Sequence, residues 1–412
     1  MIPSNSGRAM IEPYKKPISI SKHCCAIANI GSSWDECWDA LLEGRRVFSN
    51  GADLIPNWPD SPPLSAILDF PGVDGQPPFN RRTGVLAKIV GTRMRHAVDD
   101  LLEVNPQIRL SLMVATSHGD PGPLSEIVDF RQANIPDDTI SMSTWEGVVV
   151  DNLIKEVNAG LGRSLPGTTT SAACASCLVA LSYAADRINA GLSDAVLLVA
   201  IDTLSRVASV GFNNIGAMSK NGCRPYDLDR DGTTVGEGAV AMLLTRDGLI
   251  AAHDVFGLVS GTSVFCDAAH MVEPNPVGVA SVVHTAMQQA GLQPDDVKGI
   301  FWHGTGTRQN DKTEAAVAKI VFGDKSPLCT STKGSLGHTM GASGGFNVLA
   351  ACEANRRGIF PHVVGTTNPE YENMTLALGK PHAVEPGPML VTALGFGGIN
   401  AAAVILPPET VQ

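Results

Sequence analysis

The residues of this chain best suited to chemistry are a cysteine at a strand-to-helix turn, two histidines in glycine-containing loops, and a glycine-rich hairpin. Cys174 lies in TTTSAACASCLVAL, where a Thr/Ser-rich strand end runs into an apolar helix. A thiol at a helix N-terminus feels the positive end of the dipole, and that favours the thiolate. A cysteine among small residues is also a common packing residue, so the turn alone leaves both readings open. In IFWHGTGTRQNDKTE (300–314) an apolar strand ends at Trp302 and His303, and Thr305 and Thr307 follow in a loop. Glycines let such a loop approach a ligand closely, and its hydroxyls can bond an amide-bearing arm. A turn with a capped histidine accounts for the same residues equally well. The loop is no phosphate cradle, because GxxxxGK[ST] is absent.

The segment CTSTKGSLGHTMGASGG (329–345) places Lys333 and His338 before a Gly/Ala-rich helix start. A histidine there can donate to a carbonyl oxygen, and the positive helix end keeps the imidazole neutral. A structural turn is the competing reading. LVTALGFGGINAAAVIL (390–406) reads as a hairpin whose reversal exposes Phe396. It is either a tight turn or a backbone N–H aimed at a developing oxyanion. GASGG (341–345) fits the G-x-S-x-G nucleophile elbow, but no buried strand precedes Ser343 and no Asp follows it. The elbow reading therefore fails. No metal-ligand cluster with sensible spacing is present.

The positioning elements alternate in α/β fashion. Residues 1–80 read as irregular, with Pro-rich patches (IPNWPDSPP, GQPP) around a short helix at WDECWDALLEG. A long amphipathic helix is expected from Thr83 to Leu102, then a strand at 110–117. ASCLVALSYAADRINAG (175–191) predicts a helix stopped by Gly191, and DAVLLVAIDT a strand buried on both faces. ASGGFNVLAACEANRRG (342–358) repeats that helix: both open Ala-Ser, carry an acid at equivalent points (Asp186, Glu353) and close with Gly. The repeat predicts two similar halves, residues 1–250 and 251–412, with a site where they meet.

A hydrophobic content of 44% with 17% charged residues and 42 glycines marks a well-buried globular chain. The formal charge of −11 excludes general nucleic-acid binding. The nine cysteines have no regular pairing, which suggests reduced thiols and a cytoplasmic location. The start, MIPSNSGRAMIEPYKKP, lacks a signal-peptide core, and no apolar run is long enough to span a membrane.

Taken together, SAACAS, RPYDLDRDGTTVGEGAVAMLL (224–244), HGTGT…ND..E, STKGSLGH and GFGG resemble the β-ketoacyl-acyl-carrier-protein synthases of the Cys-His-His branch, thiolase superfamily. The similarity runs over residues 80–406. Ordinary thiolases carry a second catalytic Cys near the end, whereas this chain has none after Cys352. The resemblance implies a thiolase fold, two similar α/β halves in α-β-α-β-α layers. It implies Cys174 as the acyl-accepting nucleophile and the N–H groups of Cys174 and Phe396 as its oxyanion hole, with Phe396 also a gate. His303 and His338 would polarise a malonyl-type thioester while carbon dioxide leaves. Lys333, paired with Glu314, would orient the site, supported by Asp311, and Thr305 and Thr307 would contact pantetheine. No cofactor is implied beyond the phosphopantetheine of the acyl carrier protein.

That partner is acidic, so Arg81, Arg82 and Lys88 are expected to dock it, with Arg45 and Arg46 as outside candidates; solvated helix charges are the bland alternative. A homodimer is expected, or a heterodimer with a related synthase. The departures are ISISKHCCAIANIG for a Gly-rich N-terminal strand, Asn347 where a Glu is usual, Ile399 for Thr, and Cys177 for a smaller residue. These point beyond housekeeping fatty-acid synthesis to a polyketide or other secondary-metabolite pathway. Two rivals stand beside condensation: acyl transfer to an alcohol or amine, and a non-catalytic subunit that shapes a partner's cavity. Retention of Cys174 counts against the second.

Overall fold

The computed structural model describes residue 14, residues 16–55 and residues 58–408. The segment on which the expectation of no signal peptide rests, residues 1–17, lies mostly outside this range, as do Pro56 and Asn57 of the first Pro-rich patch. Among the described residues no helix is long and apolar enough to cross a membrane.

The first half contains β1 (Ile18–Ala28), α1 (Trp34–Glu43), α2 (Arg82–Val104), β2 (Leu110–Ala115), α3 (Pro121–Gln132), α4 (Met142–Gly147) and α5 (Asn152–Leu161). It continues through β3 (Gly167–Thr170), α6 (Ser176–Asn189), β4 (Ala195–Asp202), α7 (Arg206–Asn214) and β5 (Gly238–Thr245). The second half holds β6 (Val255–Cys266), α8 (Pro276–Gln289), β7 (Gly299–Phe301), α9 (Arg308–Phe322), β8 (Leu328–Thr330), α10 (Lys333–Leu336) and α11 (Ser343–Arg357). Short strands β9 (Ile359–Phe360), β10 (Thr375–Leu376) and β11 (His382–Ala383) precede the hairpin β12 (Met389–Gly395) and β13 (Ile399–Leu406).

Outward from the middle, one side of the sheet runs β1, β5, β4, β2, β3 and the other β6, β13, β12, β7, β8. In both, the first two pairings are antiparallel and the next two parallel. The repeat seen in one helix thus extends to five strands, and the two sides join where β1 pairs antiparallel with β6.

The all-apolar β4 explains the layering. Val196, Leu198 and Ala200 face a core built on α6 and α11, while Leu197, Val199 and Ile201 face one built on α2 and α5. In β12, Val391 and Ala393 join the central core, whereas Leu390 and Leu394 face α8 and α9. Alternate side chains of a strand point to opposite faces, so a strand between two helical layers must be apolar throughout. The result is five layers, α-β-α-β-α. In the central layer a Cβ on Gly345 would stand 3.0 Å from the Cys177 sulfur. The bulkier Cys177 is therefore accommodated by glycine on the facing helix.

One expectation fails in the irregular reading of residues 1–80. β1 is a strand of 11 residues at the join, and its register shifts between Ile20 and Cys24. The interrupting Ser-Lys-His breaks the period of two, which hid it.

Candidate active site

Cys174 sits in a sharp turn between β3 and α6. Ala173 before it adopts φ 48°, a left-handed conformation that costs a non-glycine residue energy and must be held by its surroundings. Ser176 supplies that hold: its hydroxyl accepts from the Ala172 N–H at 2.9 Å and lies 2.9 Å from the Thr116 carbonyl. The β12–β13 reversal presses on the same turn, since a Cβ on Gly395 would meet the Ala172 carbonyl oxygen at 2.9 Å. Among the described residues the N–H groups of Cys174 and Phe396 bond no backbone carbonyl, and that of Cys174 lies beside its own sulfur. These are the two donors expected at an oxyanion. Phe396 is half-buried rather than exposed and stacks on Phe212 of α7, ring centres 5.3 Å apart.

His303 follows β7. Its backbone N–H donates to Glu314 Oε1 at 2.8 Å and to Thr392 Oγ1 at 3.1 Å. Its ring Nδ1 faces the Lys333 ammonium at 3.2 Å. His338 Nδ1 receives the Met340 N–H at 3.1 Å and lies 3.1 Å from the Ser343 hydroxyl. With donors on both Nδ1 atoms, both rings carry their proton on Nε2. The rings meet edge to face with centres 5.2 Å apart. Burial, the Lys333 charge and, for His303, its neighbour His338 hold the two histidines well below the usual imidazole range. Both are neutral N–H donors at pH 7.

Cys174, His303, His338, Thr305, Thr307, Phe212 and Phe396 line one cavity of about 420 Å3. The hydroxyls of Thr305 and Thr307 stand 2.8 Å apart, and Thr307 also caps α9. Arg308, exposed at the cavity wall, lies inside the segment 300–314 but is given no role there, and Phe212 belongs to no motif.

Several expectations are corrected. Burial pushes the Cys174 thiol up to about 12, against the pull of Lys333, so the resting sulfur is protonated despite the helix start two residues on. Lys333 forms no ion pair with Glu314. Its ammonium bonds Nδ1 and the carbonyl of His303, while Glu314 receives the N–H groups of His303 and Gly304, the Tyr226 hydroxyl and the Asn310 amide. Asp311 holds the Tyr226 N–H at 2.7 Å and faces Arg230 at 3.4 Å. Burial raises Asp311 to about 6 and, with the Asp311 charge, Glu314 to about 7. Arg82 is buried in an ion pair with Glu237 and cannot dock a partner. Arg81 is half-exposed beside Glu126 at 3.3 Å, and Lys88 is exposed. Arg46 bonds the Cys223 carbonyl at 2.8 Å and is half-buried, whereas Arg45 is exposed beside Glu43. Ser343 begins α11 after a 3-10 turn, with no strand before it, and its hydroxyl lies against His338.

A layered fold with a half-buried duplication, a cysteine in a strained turn and two neutral histidines defines a thiolase-fold acyl-transfer site. Family models match in two parts: β-ketoacyl synthase N-terminal domain at residues 156–248 and β-ketoacyl synthase C-terminal domain at residues 256–367. The chain belongs to the β-ketoacyl synthase family, whose members are acyltransferase-type condensing enzymes. It is 27% identical over 402 residues to the tetracenomycin polyketide synthase ketoacyl synthase alpha subunit of Streptomyces glaucescens, covering 90% of this chain and 93% of that one. It is 30% identical over 247 residues to 3-oxoacyl-[acyl-carrier-protein] synthase 2 of Mycobacterium bovis, a match spanning 57% of this chain and 59% of the relative. The ishigamide ketosynthase/chain length factor structure superposes with a TM-score of 0.86 at 24% identity, over 95% of this chain and 99% of that one, and shares the fold.

Proposed function

We propose that the chain catalyses decarboxylative condensation of a Cys174-bound acyl group with a malonyl-type carrier-protein thioester. The observation that carries this is the pair of Nε2–H groups, on His303 and His338, opening with Cys174 into one cavity. In the first step the Cys174 sulfur attacks the acyl thioester, and its proton leaves on the departing pantetheine sulfur. The transient oxyanion sits between the N–H groups of Cys174 and Phe396. In the second, the C–C bond to the malonyl carboxylate breaks and its electrons form an enolate, which the two histidines stabilise as neutral donors. The enolate carbon attacks the acyl carbonyl, the C–S bond breaks, and Cys174 takes up a proton. Thr305 and Thr307 would receive the pantetheine arm, and no cofactor beyond that arm is invoked.

The pathway reading is polyketide or other secondary metabolism, supported by the likeness to the tetracenomycin subunit over most of both chains. Arg81 and Lys88, with Arg308 at the cavity wall, are the exposed cations for an acidic carrier protein. The edge strand β3, exposed at Gly167 and Thr168, supports pairing with a second copy or a related synthase. Nine free cysteines support a reducing, cytoplasmic setting. Intact-protein mass after mixing with acyl-carrier proteins tests the first step, with Cys174→Ala as control. An acyl increment followed by β-ketoacyl product from malonyl-carrier protein supports the reading, and acyl transfer to an alcohol or amine without carbon dioxide release overturns it.

A further inference from the structure

Among the described residues three lysine or arginine side chains are deeply buried, and one of them lacks a counter-charge. Arg82 pairs with Glu237, and Arg230 with Asp311 and Glu370. Lys333 is 2% exposed, yet no carboxylate of the described residues lies within ion-pair distance; its ammonium faces Nδ1 and the carbonyl of His303. A buried, unpaired cation is costly, and the usual response is loss of the proton. The side chain that bonds the residue before Lys333 is an amide and not a carboxylate. Asn347, in the second turn of α11, accepts from the Thr332 hydroxyl at 2.8 Å and donates to the Trp302 carbonyl at 3.2 Å. Thr332 and Trp302 are the residues that immediately precede Lys333 and His303. Asn347 therefore ties together the two segments that carry the ammonium and the imidazole.

We propose that Asn347 is a positioning residue that bridges the Lys333 and His303 segments while withholding a counter-charge, so that the protonation of Lys333 sets the tautomer of His303. The proposal rests on the ketosynthase reading for its kinetic consequence alone. The groups facing Lys333 are Glu314 and Asp311 from α9, Cys174 ahead of α6, Cys223 from the segment after α7, and the two histidines. Burial lowers Lys333 to about 8, against the opposing pull of Glu314. Below that pH the ammonium donates to Nδ1 and fixes the His303 proton on Nε2, aimed at the enolate. Above it the neutral amine is a weaker donor and can itself accept from an Nδ1–H, so the Nε2–H tautomer is no longer enforced.

The test follows two readouts against pH in the full-length protein. The first is carbon dioxide release from malonyl-carrier protein, which should fall in the wild type as pH rises through about 8. In Asn347→Asp or Asn347→Glu a carboxylate stabilises the ammonium, and the fall should move up by about one pH unit or more. Asn347→Leu removes the bridge without adding charge; it should lower the rate about tenfold at every pH, as loss of a buried hydrogen-bonding pair does, and leave the midpoint in place. The second readout is the His303 tautomer by 15N-histidine NMR, assigned with His303→Asn. It should change between pH 7 and 9 in the wild type and hold in Asn347→Asp. A folded Asn347→Asp protein whose rate and tautomer profiles coincide with the wild type overturns the proposal. If neither protein releases carbon dioxide, the ketosynthase reading fails and the NMR profiles alone decide this one.

Discussion

Phe212 stands edge-on to His338 with ring centres 5.9 Å apart and planes at 84°, while its face stacks on Phe396. One ring thus touches both the enolate donor and the reversal that carries the oxyanion N–H. Aromatic contacts of this kind contribute about 0.5–1.5 kcal/mol each, enough to bias a ring's position but not a fold. Phe212→Ala should slow condensation up to about tenfold, with little change in melting temperature. Acylation of Cys174 should fall less, because that step uses the Phe396 N–H but not His338. Comparing the rate of product release with the acyl-enzyme mass increment checks this; equal loss of both would show that Phe212 shapes the entrance instead.

The two histidines should separate the half-reactions. Each donates from Nε2, and neither Nδ1 is free to take a proton, so their role falls on the enolate and not on the thiol. His303→Ala and His338→Ala should each lose about 100-fold or more in condensation, the cost of removing one preorganised donor from developing charge. Acyl transfer to Cys174 should survive in both. Carbon dioxide release measured beside acyl-enzyme mass would reveal any histidine needed for the first step.

Adjacent arginines at the start of α2 should behave in opposite ways. Arg82→Ala leaves Glu237 buried without its partner, a loss of about 3–5 kcal/mol. Arg81→Ala breaks a half-exposed pair with Glu126, worth about 0–1 kcal/mol. Reversing Arg81 or Lys88 to Glu should raise the KM for the carrier protein several-fold at low salt and less at high salt, while stability holds. Chemical denaturation together with steady-state kinetics at two ionic strengths separates the two cases.

That pair also shows where sequence reading stops. A basic helix start is visible in the string, but which arginine turns inward depends on Glu237, more than a hundred residues away. The same holds for Lys333, whose partner is His303 and not the carboxylate that the family resemblance implied. Cys174, His303 and His338 stand out in the sequence because each lies in a short contiguous motif, the first two at the end of a strand and His338 just after α10. β4 was legible because burial on both faces leaves it apolar throughout. β1 shows no clean alternation, since a register shift interrupts it, and only the family resemblance marks it as a strand; β7 is read from its apolar run before His303, whereas β8, at three residues, shows no period. Phe212 lies in RVASVGFNN, where nothing local marks a ring that reaches two catalytic loops.

The buried carboxylates give the fold a pH signature of unusual sign. Glu314 sits at about 7 in the folded chain, raised by burial and by Asp311, against about 4.3 for an unfolded glutamate. The folded state therefore binds more protons than the unfolded one across that interval, and stability falls as pH rises through it. Asp311, at about 6, acts in the same direction lower down. His303 and His338 act oppositely: held neutral, they destabilise the fold as pH drops below the unfolded imidazole value of about 6.5. Lys333, depressed to about 8, alters the slope only above that point. Between about pH 6.5 and 7.5 these opposing contributions nearly cancel in the wild type, so the Glu314 share is read by difference. Glu314→Gln keeps an acceptor for the His303 N–H without the charge, and its melting temperature relative to the wild type should rise as pH passes through about 7. Scanning calorimetry in half-unit steps measures that difference, and one that stays constant from pH 6.5 to 7.5 would show that Glu314 is ionised throughout.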